Sequence, residues 1–203
     1  MFAAIFSWII VIGLFVTSAG LLLDQDWHWQ IGLLAGQYVG VFWLVFQHWP
    51  VGMAAAKLVG GWMATAALGM TLLNLHQPSE TIENFWNQAR AFLLFMIGTV
   101  VLLAFTSASL IESILPGTGI SVAVGGILLI GMGLLQLGTT NQVLRIVLGL
   151  LTTLSGFEIL YAAMEGSSLV AALLVVVNLG MGLVGASSAA GSGVGPSTQT
   201  PDV

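Results

Sequence analysis

The chain has no cysteine, only three Lys or Arg and only two Tyr in 203 residues. Without thiols it can hold no disulfide, no thiolate-bound zinc and no iron–sulfur centre. Three basic residues within a net charge of −5 provide no basic stripe to meet a phosphate backbone, which excludes nucleic acid as a partner. Charged residues make up 5% of the chain, against about 25% in a soluble domain, too few to coat a surface in water. Also missing are a Walker A loop, a GxGxxG that opens a helix after a strand, and a Ser-His-Asp arrangement. An enzyme complete in itself is therefore not expected. His28 and His76 fall in loops and His48 at a segment end on the opposite side, with no pair at ligand spacing, so neither a metal nor another cofactor is expected.

Apolar sequence is what the chain has in excess: 58% of residues are hydrophobic and the mean hydropathy is +1.04. A helix needs about 20 mostly apolar residues to cross the hydrocarbon of a bilayer. Cutting at charges, Pro and polar clusters leaves about seven such segments: Met1 to Leu23, Ile31 to Trp49, Val51 to Leu75, Ala91 to Leu115, Gly119 to Thr139, Val143 to Met164 and Ser167 to Ala186. They are apolar all round rather than alternating, which favours helices over barrel strands. The expected fold is all-α, a polytopic membrane helix bundle in contact with the lipid bilayer. The first segment has no Lys or Arg before its apolar run and reads as an uncleaved span rather than a signal peptide. Around His48-Trp49-Pro50 the join is so tight that residues 31–75 read either as two crossings or as one kinked re-entrant pair.

Between Leu75 and Ala91, Pro78-Ser79 followed by Glu80 and Glu83 reads as a helix start, with Ile82, Phe85, Trp86 and Ala89 on one face. This predicts a short interfacial helix near 79–89. Trp27, Trp29, Trp49 and Trp86 sit at segment ends, as membrane-anchoring aromatic belts do. Residues 188–203 are rich in Ser, Gly and Pro and predict a disordered tail. With seven spans the termini lie on opposite sides. Arg90 and Arg145 fall on the side of the tail, which puts the C-terminus in the cytoplasm and the N-terminus outside. Gly32, Gly36 and Gly40 form a GxxxGxxxG stripe expected to admit a neighbouring backbone.

A charge within a span costs at least about 2.5 to 3.5 kcal/mol on insertion scales, so each such residue needs a partner or a task. Glu158 lies six residues before the end of the sixth segment and Lys57 six residues after the start of the third, at the same expected surface. At about 1.5 Å per residue both are about 9 Å deep. The pair fits a proton path, in which the carboxylate exchanges a proton beside the ammonium. It equally fits a static pair that neutralises two charges, or a Lys57 that snorkels to the interface. Glu165, two turns beyond Glu158, and Glu112, near the end of the fourth segment, could extend a carboxylate file outward or simply be solvated. Asn178, mid-way along the seventh segment, reads as a relay through water or as an interhelical hydrogen bond, and so do Gln37 and Gln136.

Taken together, the last three segments resemble a known unit. Asn141 to Gly149, with Arg145-Ile-Val-Leu-Gly149, is similar to the C subunits of Mrp-type sodium/proton antiporters, and Gly156-Phe-Glu158 resembles the Gly-x-Glu of the complex I K subunit. Both belong to a three-helix membrane subunit shared with membrane-bound hydrogenases. The longer form, component E of hydrogenase-4, resembles this chain in having extra spans first, with a Lys in the third as Lys57 is here. The resemblance divides the chain into a four-span region (1–115), a three-helix unit (116–187) and the tail. It implies a proton-path role for Glu158, with Lys57 beside it, and a place among other membrane subunits in a prokaryotic inner-membrane complex. Its second carboxylate would fall near Asn178, where this chain has an amide. The alternatives are a structural or assembly protein and a small stand-alone transporter, against which the lack of an inverted repeat speaks.

Overall fold

The computed structural model describes residues 2–24, 26–74, 86–114 and 117–192. They form seven helices: α1 (Phe2–Leu23), α2 (Trp27–Phe46), α3 (Val51–Asn74), α4 (Trp86–Ile114), α5 (Ile120–Thr139), α6 (Val143–Met164) and α7 (Ser168–Ser192). No strand occurs among the described residues. Each helix is long and apolar enough to cross a bilayer, so the chain is a polytopic helical bundle. At 20 and 24 residues, α2 and α3 each rise about 30 Å or more, the length of a full crossing rather than of a re-entrant hairpin.

Several boundaries differ from the sequence reading for local reasons. α2 begins at Trp27 rather than Ile31: extended Asp26 is its N-cap, and Gln30 Nε2 donates to the Asp24 carbonyl at 2.8 Å, tying the first turn to the preceding turn. The expected interfacial helix near 79–89 lies largely outside the described residues, and from Trp86 onward the chain already belongs to α4. At the other end α7 runs on to Ser192, because Ala and Ser continue a helix at little cost; the rest of the expected tail lies outside the described residues. Between α4 and α5 the backbone turns at Gly117 and Gly119, whose φ of 104° and 80° suit glycine.

Packing organises the helices as two four-helix rings that share a wall. α1, α2, α6 and α5 enclose one; α2, α3, α7 and α6 enclose the other; α2 against α6 is the common wall, and α4 lies outside against α5. The tightest wall is α5–α6. A side-chain carbon on Gly156 would stand 2.6 Å from the Gly126 carbonyl oxygen, and one on Gly133 would stand 2.7 Å from that of Gly149. These two glycine pairs, seven residues apart on each antiparallel helix, bring backbone to backbone. The Gly32-Gly36-Gly40 stripe is used only at one end: Gly40 meets Leu14 closely, Gly36 barely touches Thr17, and Gly32 faces open space. What Gly40 and Gly36 meet on α1 are side chains rather than backbone. Because α3 packs extensively on α7, and α2 on α6, the last three helices do not stand apart from the first four.

Candidate functional site

The second ring holds a buried polar cluster to which each of its four helices contributes one side chain. Lys57 of α3 is ion-paired with Glu158 Oε1 of α6, with both side chains almost fully enclosed. Asn178 Nδ2 of α7 donates to the same Glu158 oxygen at 3.4 Å. The Tyr38 hydroxyl of α2 donates to Asn178 Oδ1 at 3.2 Å. Each end of the amide is thereby assigned, so Asn178 fixes the carboxylate's orientation. Glu158 Oε2 is buried with no hydrogen-bond partner among the described residues.

Glycine makes this convergence possible. A side-chain carbon on Gly61 would lie 2.4 Å from the Tyr38 ring, so only glycine lets that ring cross the face of α3 to reach α7. Gly60 likewise receives Val175 of α7. On α6, Gly149 and Gly156 face α5 while Glu158 points the opposite way, about 180° around a helix that turns about 100° per residue. Ser155, one turn before Glu158, donates to the Leu151 carbonyl at 2.8 Å and lies near the Tyr38 hydroxyl.

From the cluster, the nearer membrane surface lies about 9 Å away along α3 and α6, and the fully buried side chains on that way are mainly apolar, with partly buried Tyr161 and His48 near its mouth. Trp49, Ala54, Ala162 and Ala171 are buried there in one core cluster. Trp49 was expected in an interfacial belt; instead it is 3% exposed and its indole Nε1 donates to the Glu165 carbonyl at 2.8 Å. The tight turn at Pro50 swings it inward over the α6–α7 turn. Trp29, by contrast, is exposed, and the Trp86 side chain lies outside the described residues.

The structure therefore brings together Lys57, Glu158 and Asn178 and leaves the other two acids apart. Glu165 is exposed at the C-cap of α6. Glu112 is half-buried on α4, which packs against α5 and walls neither side of the cluster. Gln37 and Gln136 are buried, yet neither amide atom of Gln37 and not the Gln136 nitrogen has a partner among the described residues, so they do not serve as the expected interhelical hydrogen bonds. Tyr38 was not singled out from sequence. Its signal was available: an aromatic hydroxyl eight residues from the end of α2 stands far from any interfacial belt and near the depth of Lys57 and Glu158.

Among the described residues no group of three or more His, Asp or Glu is placed to hold a metal ion. A surface hollow of about 400 Å³ lies between α6 and α7 and is lined by apolar residues such as Ile146, Leu150, Val177 and Val184. None of the four cluster residues lines it. Fold and site thus define a multi-pass helical membrane protein with a buried, ion-paired polar centre. Comparison with protein-family models, with curated protein sequences and with solved structures found no match for the chain.

Proposed function

We propose that the chain is a membrane subunit that contributes Glu158, held by Lys57, to proton movement through a multi-subunit assembly of the complex I-like, hydrogenase-like or antiporter-like kind. The observation that carries this reading is the lopsided occupancy of the carboxylate. Lys57 and Asn178 both engage Oε1, whereas buried Oε2 has no partner. A carboxylate retained only to neutralise a lysine is best served by a fully satisfied network, since a half-satisfied one in a low dielectric is costly. An oxygen left open is where a proton can be received. When Oε2 takes a proton, attraction to the ammonium falls and Lys57 is released to relax; when the proton leaves, the pair reforms. Asn178 and Tyr38 act as positioning residues that hold Oε1 in the pair and leave Oε2 open.

The resemblance of Asn141–Gly149 and Gly156–Glu158 to K- and C-type subunits supports the same assignment. The basic residues support an N-terminus outside and a C-terminus in the cytoplasm of a prokaryotic inner membrane. The test is Glu158→Gln in the native membrane, with co-purifying subunits counted by mass spectrometry. The variant is expected to assemble in unchanged ratio and to lose coupled proton movement; normal coupling removes Glu158 from the mechanism, and purification of the chain alone removes the assembly.

One observation favours a second, structural reading. α3 and α6 make little direct contact otherwise, so the Lys57–Glu158 pair could act as a clamp across the second ring. Under that reading Lys57→Met with Glu158→Leu keeps both assembly and coupling, because packed apolar residues can replace a buried pair.

A further inference from the structure

The first ring has, on each of its helices, a buried polar side chain with at least one atom that lacks a partner among the described residues. Ser18 Oγ on α1, both amide atoms of Gln37 on α2, Gln136 Nε2 on α5 and Thr152 Oγ1 on α6 are buried without a hydrogen bond among the described residues. All four residues are at most 3% exposed. A buried polar atom with no protein partner is costly unless water meets it, and buried water typically joins two to four such groups.

Their depths are ordered. Measured from the α5–α6 turn at about 1.5 Å per residue, Gln136 is about 4 Å deep, Ser18 about 8 Å, Thr152 about 14 Å and Gln37 about 15 Å. At the depth of Thr152 and Gln37 the ring is already partly filled by Leu14 and Leu129, and beyond them it becomes dry, filled by Val11, Val41 and Leu44. The polar groups do not stop there but cross the shared wall. Next to Gln37 in the chain is Tyr38, and one turn beyond Thr152 is Ser155, whose hydroxyl lies near that of Tyr38 and, like Tyr38, is buried. Thr152 and Ser155 lie about 60° apart on the face of α6 turned to α2. Another turn leads to Glu158. The opposite half of the second ring, with Leu34, Leu68, Leu148 and Leu151, is apolar, and the shorter way out is packed with Trp49 and Ala54, where His48 Nδ1 is a single buried polar atom without a partner among the described residues rather than one of a graded series.

We infer that the first ring holds a file of water running from the polar Thr139–Gln142 turn past Gln136, Ser18, Thr152 and Gln37, which crosses at Ser155 and Tyr38 to the open oxygen of Glu158. What the file carries rests on the proposed function: a proton passes from one water to the next, the last hydronium gives its proton to Glu158 Oε2, and a neutral water and a carboxylic acid result. Access to Glu158 is thereby one-sided, from the more distant surface, the one that also bears Arg145, whose guanidinium donates to the Asp24 carbonyl at 2.7 Å.

The absence of native cysteine makes the route directly testable, since a single introduced thiol is the only one in the chain. Ser18→Cys and Thr152→Cys are close in shape to the native residues, and Val41→Cys samples the dry half of the same ring. Silver ion is applied to one side of sealed vesicles holding the protein in its native assembly, and the thiols left free are counted with a maleimide after denaturation. Silver from the α5–α6-turn side is expected to block Ser18→Cys and Thr152→Cys at least about tenfold faster than Val41→Cys, because reaction needs a solvated thiolate. Equal protection of Thr152→Cys and Val41→Cys, or reaction only from the other side, overturns the route. Because folding of a cysteine variant can fail, Thr152→Val with Gln37→Leu gives a second reading: unchanged thermal stability with proton movement slowed about tenfold supports a water file, and unchanged proton movement overturns it. If silver reaches Thr152→Cys while Glu158→Gln keeps coupling, the file stands and the role of Glu158 falls. If silver is excluded while Glu158→Gln abolishes coupling, the file falls and the role stands.

Discussion

The two rings share α2 and α6 yet are held by different means. In the first, Gly126 and Gly133 set the α5 backbone against α6 at Gly156 and Gly149, leaving no room for a side chain. In the second, α6 meets α3 through an ion pair and reaches α7 through an amide. Backbone contact has a single good geometry, because interiors are close-packed and no flexible side chain can give way. A charged pair has two states, since protonating one partner changes what the other needs. α6 thus presents a face set by backbone contact and a face held by a charged pair, so a change of protonation at Glu158, as proposed, would leave the seam with α5 in place.

The contrast can be broken from either side. The largest effect is expected for Lys57→Met alone, which leaves Glu158 buried without its counter-charge and should cost about 3 to 5 kcal/mol or force the carboxyl to bind a proton. Thermal unfolding in detergent reads the loss, and adding Glu158→Leu should restore most of it. Next is Gly156→Ala. Its new carbon would meet the Gly126 oxygen at 2.6 Å and the Ile130 nitrogen at 2.7 Å, so a loss of about 1 to 3 kcal/mol is expected, with no rescue from any change in the second ring. Wild-type stability in that variant would show that α5 and α6 can slide apart.

A smaller effect sharpens the comparison. Tyr38→Phe removes one hydrogen bond to Asn178 and should cost only about 0.6 to 2 kcal/mol in stability. It should slow proton movement more than that stability loss explains, because the amide no longer fixes Glu158. Equal fractional losses would reduce Tyr38 to packing. Smallest of all is Gly32→Ala, expected within about 0.5 kcal/mol of the parent, since nothing lies within 4 Å of the added carbon.

How much of this was legible in the sequence follows from what each signal measures. Seven helices could be read because charges and Pro punctuate apolar runs of the length a bilayer requires. Lys57 and Glu158 could be matched because depth is a linear function of residue number. Which helices become neighbours is not: the pairing of α3 with α7 and of α2 with α6 joins segments more than a hundred residues apart, and no local pattern encodes it. That is why Tyr38 and Asn178 could not be joined, and why Glu112, at a suitable depth on the wrong helix, stood beside Glu158 in the reading. The glycine stripe misled for a related reason. Gly32, Gly36 and Gly40 offer a groove, but a groove is used only where a neighbour presses in. The seven-residue spacing shared by Gly126–Gly133 and Gly149–Gly156, on consecutive helices, was the better signal, because both sides of the contact carry it. Trp49 shows that a segment end is not always a surface: the Pro50 turn folds it under the bundle.

The most direct test of the central claim is to watch the Glu158 carboxyl by infrared difference spectroscopy during turnover of the native assembly, with Glu158→Gln as the control that assigns its band. The account predicts a protonated-carboxyl band that appears and disappears with turnover, shifts in deuterated water and is absent from the variant. A Glu158 that stays in one protonation state throughout, while protons still cross the membrane, would contradict it.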